Sequence, residues 1–459
     1  MQFLLLDREY QVVYSRAFPG AKTVDDDGDA CDDLPALTTW IRNTFDEAAH
    51  DPSFDIRAIN CTTYGGSLVH IDGSGAPVLP LYHYLKQLPP DLVERLAVPL
   101  GGRDTLARET ASPLLGMLNA GLQLYWLKHY KPRSFEKIRR SLHLPQYVSY
   151  LFTGRRFSDI TSIGCHTYLW NFKEHQYHRW VTQEGINALL APIAPTNSFI
   201  RLTSGNRMVA GVGIHDSSAA LVPYLLNVEK PFILLSTGTW TVAFNAFSRE
   251  LLTLDELQQD CLYYLNFLGK PVKACRLFLG NEHDYQVKIL ATHFQKEITC
   301  CRQVQFDKGI LQKLLQERDP RKRFVPETMD ISGIRPQPWK RQVNLHLFES
   351  FEEAYHQLTL DLVAVQALSL ALVMGKTPVE TLYVSGSFCD NPLFAKLIAC
   401  RYPHLKVYTS EISRASALGA AAVVHLHWNG DRPFPGIGKV RLHEPEAGLD
   451  TSAYEPLNA

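Results

Sequence analysis

Residues 231–244, Pro-Phe-Ile-Leu-Leu-Ser-Thr-Gly-Thr-Trp-Thr-Val-Ala-Phe, form two apolar runs around a glycine turn. Short runs of this kind that flank a glycine predict a β-hairpin, because glycine supplies the positive φ of a tight turn. The triplet Thr237-Gly238-Thr239 at the turn allows two interpretations. It is either an ordinary hairpin turn or a phosphate cradle of backbone N–H groups and threonine hydroxyls, and the two threonines favour the cradle.

The segment on the C-terminal side of this hairpin alternates helices and strands. Ser350 and Glu353 form a capping box, after which apolar residues recur at helical spacing as far as Gly375. The elements predicted next are a strand, a loop that begins with glycine, a helix, a strand and a helix of small residues: 381–385, 386–391, from 391, 406–409 and 415–424. Such alternation predicts an α/β domain with a parallel sheet.

The loop Gly386-Ser387 to Asn391 lies at the carboxyl end of a predicted strand. A glycine there lets a ligand approach the backbone at the place where open α/β sheets bind ligands. The simpler interpretation is a turn between strand and helix in which Asn391 caps the helix. The loop by itself does not decide between them.

On the N-terminal side of the hairpin stands Gly211-Val-Gly-Ile-His215-Asp216-Ser217, which leads into an apolar helix. An isolated Asp in this place is most often a helix cap. A carboxylate there can also accept the proton of a substrate hydroxyl as its oxygen attacks phosphorus. The motif alone is compatible with both.

The beginning of the chain repeats the same kind of pattern. Two apolar runs within 3–14 predict a hairpin, Asp33 precedes a helix, and the strand 56–62 ends in Tyr64-Gly65-Gly66. Each half of the sequence therefore begins with hairpin strands and continues as α/β, which predicts two related domains.

The composition excludes several classes of protein. The 459 residues include 46 Lys and Arg against 47 Asp and Glu, a balance that argues against a nucleic acid or membrane partner. The longest apolar run, 362–374, is shorter than the ~20 residues that span a bilayer. The first residues lack the basic region and cleavage site of a signal peptide. Nine scattered cysteines without a CxxC pair predict reduced thiols and a cytoplasmic location.

Taken in order, the acid–glycine turn at 211–217, the Thr-Gly-Thr hairpin and the glycine loop at 386–391 resemble the FGGY family of carbohydrate kinases. The segments 64–66 and 144–154 extend this resemblance over nearly the whole chain, and His215-Asp216 is most similar to the rhamnulokinase and L-fuculokinase branch. The resemblance implies the two-domain actin/hexokinase/Hsp70-like ATPase fold, with duplicated ribonuclease-H-like α/β domains and a central cleft. It implies an N-terminal sugar-binding domain over 1–222 and a C-terminal nucleotide-binding domain over 223–459.

The same resemblance implies ATP- and Mg²⁺-dependent phosphorylation of the hydroxyl of a ketose, deoxysugar or related carbohydrate. Asp216 is then the catalytic base and, through Mg-ATP, an indirect ligand of the metal. Sugar contacts are implied for Gly65, His215 and Ser217. The residues implied for ATP lie around its phosphates and its adenosine: Thr237, Gly238, Thr239, Gly386, Ser387 and Asn391. Further polar residues of the sugar-side domain are expected to satisfy local hydrogen bonds instead: Asn119, Gln123, His143, Gln146 and His166.

The start of the chain departs from the family pattern. Family members begin with a strand and a tight Asp-x-Gly turn whose Asp helps to hold Mg²⁺, whereas residue 1 here already corresponds to the following strand. We therefore expect the first strand and this phosphate turn to be missing. Either the start codon is placed too far downstream, or the protein has truly lost this segment and, with it, its activity. Unpaired groups on inner strands would cost ~1–3 kcal/mol each.

Three interpretations remain open at this stage. The first is an active sugar kinase. The second is a non-catalytic pseudokinase that binds sugar or nucleotide, which the lacking turn favours and Asp216 opposes. The third is another member of the ATPase superfamily, such as an acetate-kinase-like enzyme, which 213–217 opposes. The sequence does not name the sugar, and it leaves the oligomeric state open, with a homodimer as one candidate.

Overall fold

The chain divides into two compact units, each built from several segments of sequence. The structure is a computed structural model that describes residues 1–202, 208–329, 343–410, 412, 414–430 and 432–456. The first unit comprises Met1–Asn227, Tyr263–Pro271 and Arg414–Gly436. The second unit comprises Val228–Leu262, Val272–Ser413 and Ile437–Ala459.

These units differ from two continuous domains at 1–222 and 223–459. The expected boundary falls inside the helix Asp216–Leu225, and the units separate after Asn227 instead. The helix Ala415–Val423 belongs to the first unit because it packs against Asp216–Leu225. A Cβ atom at Gly419 would collide with the backbone carbonyl of Ala219, so only glycine permits this close approach of the two helices.

The first unit contains short strands and ten α-helices within the described residues. Its strands are Gln2–Leu6, Val12–Ala17, Lys22–Val24, Ala30–Asp32, Ala58–Ile59, Thr62–Thr63, Leu68–Ile71, Arg140–His143, Ser158–Asp159, Trp170–Asn171, Gln176–Tyr177, Ile193–Ala194, Phe199–Arg201, Val209–Gly211 and Ile214–His215. Its helices are Leu34–His50, Leu92–Ala97, Arg103–Glu109, Ala120–Tyr130, Pro132–Phe135, Leu144–Thr153, Ile160–Ile163, Arg179–Gln183, Asp216–Leu225 and Ala415–Val423.

Two features predicted for the beginning of the chain are confirmed. Gln2–Leu6 pairs antiparallel with Val12–Ala17 as a hairpin. Asp33 caps the helix Leu34–His50, since its side chain accepts a hydrogen bond from the N–H of Ala36.

Parallel pairing in the first unit joins segments that are far apart in sequence. Val209–Gly211 pairs in parallel with Ala58–Ile59, and Ile214–His215 pairs in parallel with Thr62–Thr63. Because parallel strands end on the same side of a sheet, the residues that follow Thr63 and His215 lie close together. This arrangement positions the candidate site.

The second unit is organised around a seven-stranded sheet. The strand order is Cys261–Leu265, Pro271–Leu277, Thr241–Asn245, Phe232–Thr237, Thr381–Gly386, Lys406–Ser410 and Val440–His443. Its helices are Leu254–Gln258, Leu279–His293, Lys308–Glu317, Phe351–Met374 and Pro392–Arg401. The predicted hairpin is confirmed, since Phe232–Thr237 pairs antiparallel with Thr241–Asn245. Its turn does not use the positive φ expected of the glycine, because Gly238 lies outside that region. On its other side Phe232–Thr237 pairs in parallel with Thr381–Gly386, which sets Thr237 opposite Gly386.

The helix Phe351–Met374 begins and ends where its sequence predicts. Ser350 accepts a hydrogen bond from the N–H of Glu353, and Gly375 follows the last turn with a φ of 49°. The full capping box is not formed, because the Glu353 carboxylate accepts from the N–H of Glu349 instead. This is the one helix of the described residues that is long and apolar enough to cross a membrane, by length and composition only. Of its most apolar 18-residue stretch, 78% is buried within the structure, as in core helices of globular domains.

Candidate active site

A tight turn delivers Asp216 to the first residue of its helix. The Nε2 amide of Gln146 donates hydrogen bonds to the carbonyls of Val212 (3.3 Å) and Gly213 (3.0 Å). Gly213 has a φ of +85°, and a Cβ there would lie 2.5 Å from the carbonyl oxygen of Pro145. The turn therefore requires glycine and is held by Gln146, which fixes the position of the carboxylate that follows.

The Asp216 carboxylate is held at one oxygen. Oδ1 accepts hydrogen bonds from the N–H of Ser217 (2.6 Å) and from its hydroxyl (3.3 Å), and it lies 3.2 Å from Nε2 of His215. Oδ2 makes no hydrogen bond to any residue that the structure describes. Because 40% of the side chain is exposed, the carboxylate is accessible to a substrate. The arrangement can accept a proton from a hydroxyl group bound next to it.

His215 is buried beside this carboxylate. Its backbone N–H donates to Thr161 Oγ1 (3.0 Å), and its Nδ1 lies 3.4 Å from Ser218 Oγ. Burial lowers the pKa of His215 below the ordinary value, while the charge of Asp216 acts in the opposite direction. The residue is thus a fixed, buried group in contact with the carboxylate.

Gly65 lies in the same part of the first unit as His215. A Cβ at Gly65 would stand 2.9 Å from Cys165 Sγ, 3.2 Å from His166 Cε1 and 3.2 Å from His215 Cδ2. The structure therefore brings together Gly65 and His215, both of which the resemblance assigned to the sugar. Sequence reasoning did not single out Cys165.

In the second unit, Thr237 and Gly386 join two strands tightly. The Thr237 hydroxyl donates to the carbonyl of Ser385 (2.7 Å) and accepts from the N–H of Phe388 (2.9 Å). Gly386 has a φ of +93°, and a Cβ there would collide with the Thr237 carbonyl. The Thr237 side chain is buried and engaged in this contact. A phosphate group would therefore meet the backbone here rather than the Thr237 hydroxyl.

The rest of the Thr-Gly-Thr turn is open. The N–H of Gly238 donates to the carbonyl of Trp240 (2.9 Å), whereas Thr239 and, in the neighbouring loop, Ser387 are exposed. Gly280 packs under the turn, and a Cβ there would collide with the Gly238 carbonyl. Sequence reasoning missed Gly280, since a glycine near the start of a helix carries no local signal that it supports another loop.

Asn391 has the cap role that its simpler interpretation predicts. Its Oδ1 accepts from the N–H groups of Leu393 and Phe394, both at 3.1 Å, at the start of Pro392–Arg401. Its Nδ2 donates to the hydroxyl of Tyr355 (2.8 Å), which lies 3.0 Å from Nε2 of His283. Tyr355 and His283 were not predicted as neighbours of this loop.

The additional polar residues of the first unit divide into two groups. Asn119 donates to Ser112 Oγ and to the carbonyls of Pro113 and His166, so its predicted local role is confirmed. Gln123 Oε1 likewise contacts Nε2 of His70 at 3.3 Å. In contrast, His143 Nε2 and Gln146 Oε1 are buried without a hydrogen-bond partner among the described residues. Such atoms are uncommon in proteins and suit a ligand or an ordered water.

Comparison with known proteins gives one family match and several similar solved structures. Residues 229–432 match the family described as "Carbohydrate kinase FGGY, C-terminal domain". No curated protein sequence matches the chain. Among solved structures, a carbohydrate kinase from Novosphingobium aromaticivorans is similar with a TM-score of 0.77 and 23% identity, over 99% of this chain and 96% of its own.

Two further solved structures have the same fold at lower identity. A ligand-bound xylulose kinase from Lactobacillus acidophilus has a TM-score of 0.75 and 13% identity, over 97% of this chain and 91% of its own. Plasmodium falciparum glycerol kinase with ADP has a TM-score of 0.73 and 15% identity, over 97% and 92%.

The similar solved structures establish the fold of the chain. The chain has the two-domain α/β fold of the actin/hexokinase/Hsp70-like ATPases, as predicted. The match over residues 229–432 then confirms the resemblance to the FGGY carbohydrate kinases, whose C-terminal domain this part of the chain carries. The predicted class of enzyme, a phosphotransferase, is confirmed with the family. The rhamnulokinase and L-fuculokinase branch remains a prediction.

Proposed function

We propose that this protein phosphorylates a hydroxyl group of a ketose, deoxysugar or related carbohydrate with ATP, and that Asp216 is the catalytic base. The observation that carries this proposal is the hydrogen bonding and exposure of the Asp216 carboxylate. Its Oδ1 is held by Ser217, its Oδ2 accepts no hydrogen bond from the described residues, and 40% of the side chain is exposed at the end of a turn that Gln146 fastens. A positioned carboxylate with one accessible oxygen is the group that proton removal from an alcohol needs.

The reaction follows from that geometry. The sugar hydroxyl transfers its proton to Asp216 as its oxygen forms a bond to the γ-phosphorus of ATP. The bond from that phosphorus to the oxygen bridging the β- and γ-phosphates breaks, and ADP leaves. ATP would react as its magnesium complex, and the Asp216 carboxylate would help to hold the magnesium ion. Proton removal of this kind contributes typically ~10²–10⁴-fold in rate.

The sugar contacts are proposed for residues around the base. Gly65, His215 and Ser217 adjoin Asp216 in sequence or in space. Burial lowers the pKa of His143, and the nearby charge of His215 lowers it further. The two histidines are therefore neighbours. The unsatisfied His143 Nε2 and Gln146 Oε1 support a polar ligand, because sugar hydroxyls both donate and accept hydrogen bonds. Residues 1–222 accordingly contain the sugar-binding domain.

ATP is proposed to bind through the second unit, within 223–459. Backbone groups of Thr239, Gly386 and Ser387 are the proposed contacts, because the Thr237 hydroxyl is engaged elsewhere. The N–H of Gly238 is bonded to the Trp240 carbonyl, so Gly238 is proposed to contribute by letting phosphate approach the turn closely. Asn391 adjoins the adenosine through its loop and chiefly caps the helix. A cytoplasmic location is proposed as well, since all nine cysteines are free thiols.

The pseudokinase is the second candidate, and a rate measurement distinguishes it. Purified protein is assayed with Mg-ATP and a panel of ketoses, deoxysugars and polyols, with ADP release as the readout. We expect sugar-dependent ADP release that Asp216→Asn abolishes. Nucleotide binding measured by titration calorimetry, without ADP release on any sugar and with no effect of Asp216→Asn, would contradict the kinase and favour the pseudokinase.

A further inference from the structure

A cysteine and two histidines converge beside Asp216 in a way that the proposed phosphoryl transfer does not use. Cys165, His166 and His215 are buried, and each offers a ligand atom that lies within 4.8 Å of the others. A Cβ atom at Gly65 would lie 2.9–3.2 Å from atoms of all three side chains, so the lack of one leaves room between them. Thiolate sulfur and imidazole nitrogen are the donors that Zn²⁺ prefers.

The hydrogen bonds of the two imidazole rings indicate which nitrogen would bind a cation. His166 Nδ1 lies 3.0 Å from the carbonyl oxygen of Leu118. Since a carbonyl only accepts, Nδ1 of His166 carries a hydrogen, and Nε2 is the nitrogen that would bind the cation. A carbonyl partner that orients a ring in this way is a usual feature of metal-binding histidines.

The ring of His215 has a polar neighbour at each nitrogen. The Ser218 hydroxyl donates its hydrogen to the carbonyl of Leu265 (2.9 Å), so its oxygen can accept from Nδ1–H of His215 at 3.4 Å. In the other neutral tautomer, Nε2–H donates to Asp216 Oδ1 at 3.2 Å, and a cation bound at Nε2 would replace that hydrogen.

The donors around this position suit a divalent cation. Binding would require Cys165 to lose the thiol hydrogen that it donates to the Ser162 carbonyl (3.2 Å). A Cys165 thiolate and the Asp216 carboxylate together would neutralise a charge of +2, which reduces the cost of holding a cation in a buried place.

We propose that Cys165, His166 and His215 bind a thiophilic divalent cation such as Zn²⁺, and that the bound cation inhibits the kinase. A tetrahedral Zn²⁺ with bonds of ~2.0–2.3 Å sets its donors about 3.3–3.8 Å apart, so the three side chains need to approach by ~1 Å. The fourth position is left for water or for Asp216. Inhibition, which rests on the proposed function, follows because the cation occupies the position beside Asp216 and engages His215, one of the proposed sugar contacts.

The binding part is tested on the full chain after removal of metal with a chelator. Co²⁺ is titrated in as a probe, and we expect the visible absorption of a tetrahedral site with a thiolate-to-cobalt charge-transfer band that Zn²⁺ abolishes. Cys165→Ser should lose this band and bind Zn²⁺ at least ~10-fold more weakly, since loss of even an outer partner of a metal ligand costs 10–100-fold. The matched control is Cys61→Ser, because Cys61 donates to the Pro145 carbonyl and belongs to no such cluster.

X-ray absorption at the zinc edge tests the donor set on the unaltered chain, so that the result does not depend on the folding of a variant. One sulfur and two imidazole nitrogens around zinc would support the site. Oxygen and nitrogen donors alone, or equal Zn²⁺ affinity for the unaltered chain and a folded Cys165→Ser, would overturn it.

The inhibition is read as the ratio of ADP-release rates with and without saturating Zn²⁺. We expect this ratio to be low for the unaltered chain and for Cys61→Ser, and close to one for Cys165→Ser. If X-ray absorption shows that zinc is bound to the unaltered chain and the ratio is still near one, the proposed inhibition is overturned. If no sugar supports ADP release at all, the proposed function fails while the cobalt and zinc measurements still decide the metal site.

Discussion

The surroundings of Asp216 and of Gly386 use their side chains in opposite ways. Around Asp216, one carboxylate oxygen accepts no hydrogen bond from the described residues, and polar atoms of His143 and Gln146 are buried without partners among those residues. Around Gly386, the Thr237 hydroxyl both donates and accepts within the protein, and Asn391 is committed to a helix cap. The first region keeps side-chain atoms available, while the second presents its backbone.

This difference fits the two kinds of ligand that we propose. A sugar is recognised hydroxyl by hydroxyl, for which individual side chains are suited, whereas a triphosphate is a diffuse anion that backbone N–H groups hold well. Side-chain replacements near Asp216 should therefore change the rate and preserve the fold. Near Gly386, added atoms should disturb the backbone first.

The largest effect is expected for Asp216→Asn. The amide has nearly the same shape and keeps an oxygen that accepts from Ser217, but it cannot take the proton of the sugar hydroxyl. Turnover should fall by ~10²–10⁴-fold with an unchanged melting temperature. Turnover near that of the unaltered chain would show that Asp216 is not the base.

Asp159→Asn is the matched control for this prediction. The buried Asp159 carboxylate accepts from the N–H groups of Thr161 and Ser162 and from the Thr196 hydroxyl. The NH2 group of an asparagine would face one of these donors, and the lost hydrogen bond would cost ~1–3 kcal/mol of stability. The melting temperature should fall, while the rate per folded molecule stays close to that of the unaltered chain.

Next in size is Gly386→Ala, compared with Gly238→Ala. The added Cβ at 386 meets the Thr237 carbonyl and a φ of +93°, whereas at 238 the nearest atom is the Trp240 carbonyl oxygen at 3.7 Å. Urea unfolding should show a loss of several kcal/mol, ~3 or more, for Gly386→Ala and little change for Gly238→Ala.

Nucleotide titration of the same two variants sharpens the comparison. Gly238→Ala should still weaken ATP binding if the phosphates approach the backbone at that turn. Equal stability of the two variants would contradict the packing argument, and unchanged ATP affinity of Gly238→Ala would contradict its proposed contact with phosphate.

A smaller effect is expected on the dependence of stability on pH. Burial lowers the pKa of His143 to about 3 and of His70 to about 4, from 6.5. Below pH 6.5 the unfolded chain gains protons that the folded chain does not, so the free energy of unfolding falls by ~1.4 kcal/mol per pH unit for each histidine. This loss develops as the pH decreases from 6.5 towards 4. Asp159, whose pKa burial raises to about 6, partly offsets it below pH 6, because there the folded state gains a proton first.

Urea unfolding between pH 7 and pH 4.5 measures this slope, and His143→Gln should reduce it by ~1.4 kcal/mol per pH unit. His50→Gln, at an exposed histidine, serves as the control. Identical slopes for His143→Gln and the unaltered chain would show that His143 is not held neutral in the folded state.

The smallest effect is expected for Asn391→Ala. Loss of the cap should cost ~1 kcal/mol in a thermal melt, and Asn391→Asp should recover most of it because its carboxylate still accepts from the two N–H groups. ATP affinity should change little in either variant. A large loss of ATP affinity at unchanged stability would instead assign Asn391 directly to the nucleotide.

Much of the fold was predictable from short-range patterns. The hairpin around Gly238, the cap at Ser350 and the strand that ends at Gly386 were predicted from local sequence and are confirmed. Turn, cap and strand preferences act between residues a few positions apart, which is why sequence alone determined them. The order of the motifs at 216, 237 and 386 then indicated the family that the match over 229–432 confirms.

The composition of the site was decided by contacts between distant segments. Gly65, Cys165, His166 and His215 adjoin each other only because Thr62–Thr63 and Ile214–His215 pair in parallel and the segment at 165–166 packs beside them. Likewise the engagement of the Thr237 hydroxyl depends on Ser385 and Phe388, and the clearance under Gly238 depends on Gly280. Sequence by itself determined which residues have reactive or permissive chemistry. Tertiary structure alone decided which of those atoms are occupied and which remain available, because that depends on packing over long separations in the chain.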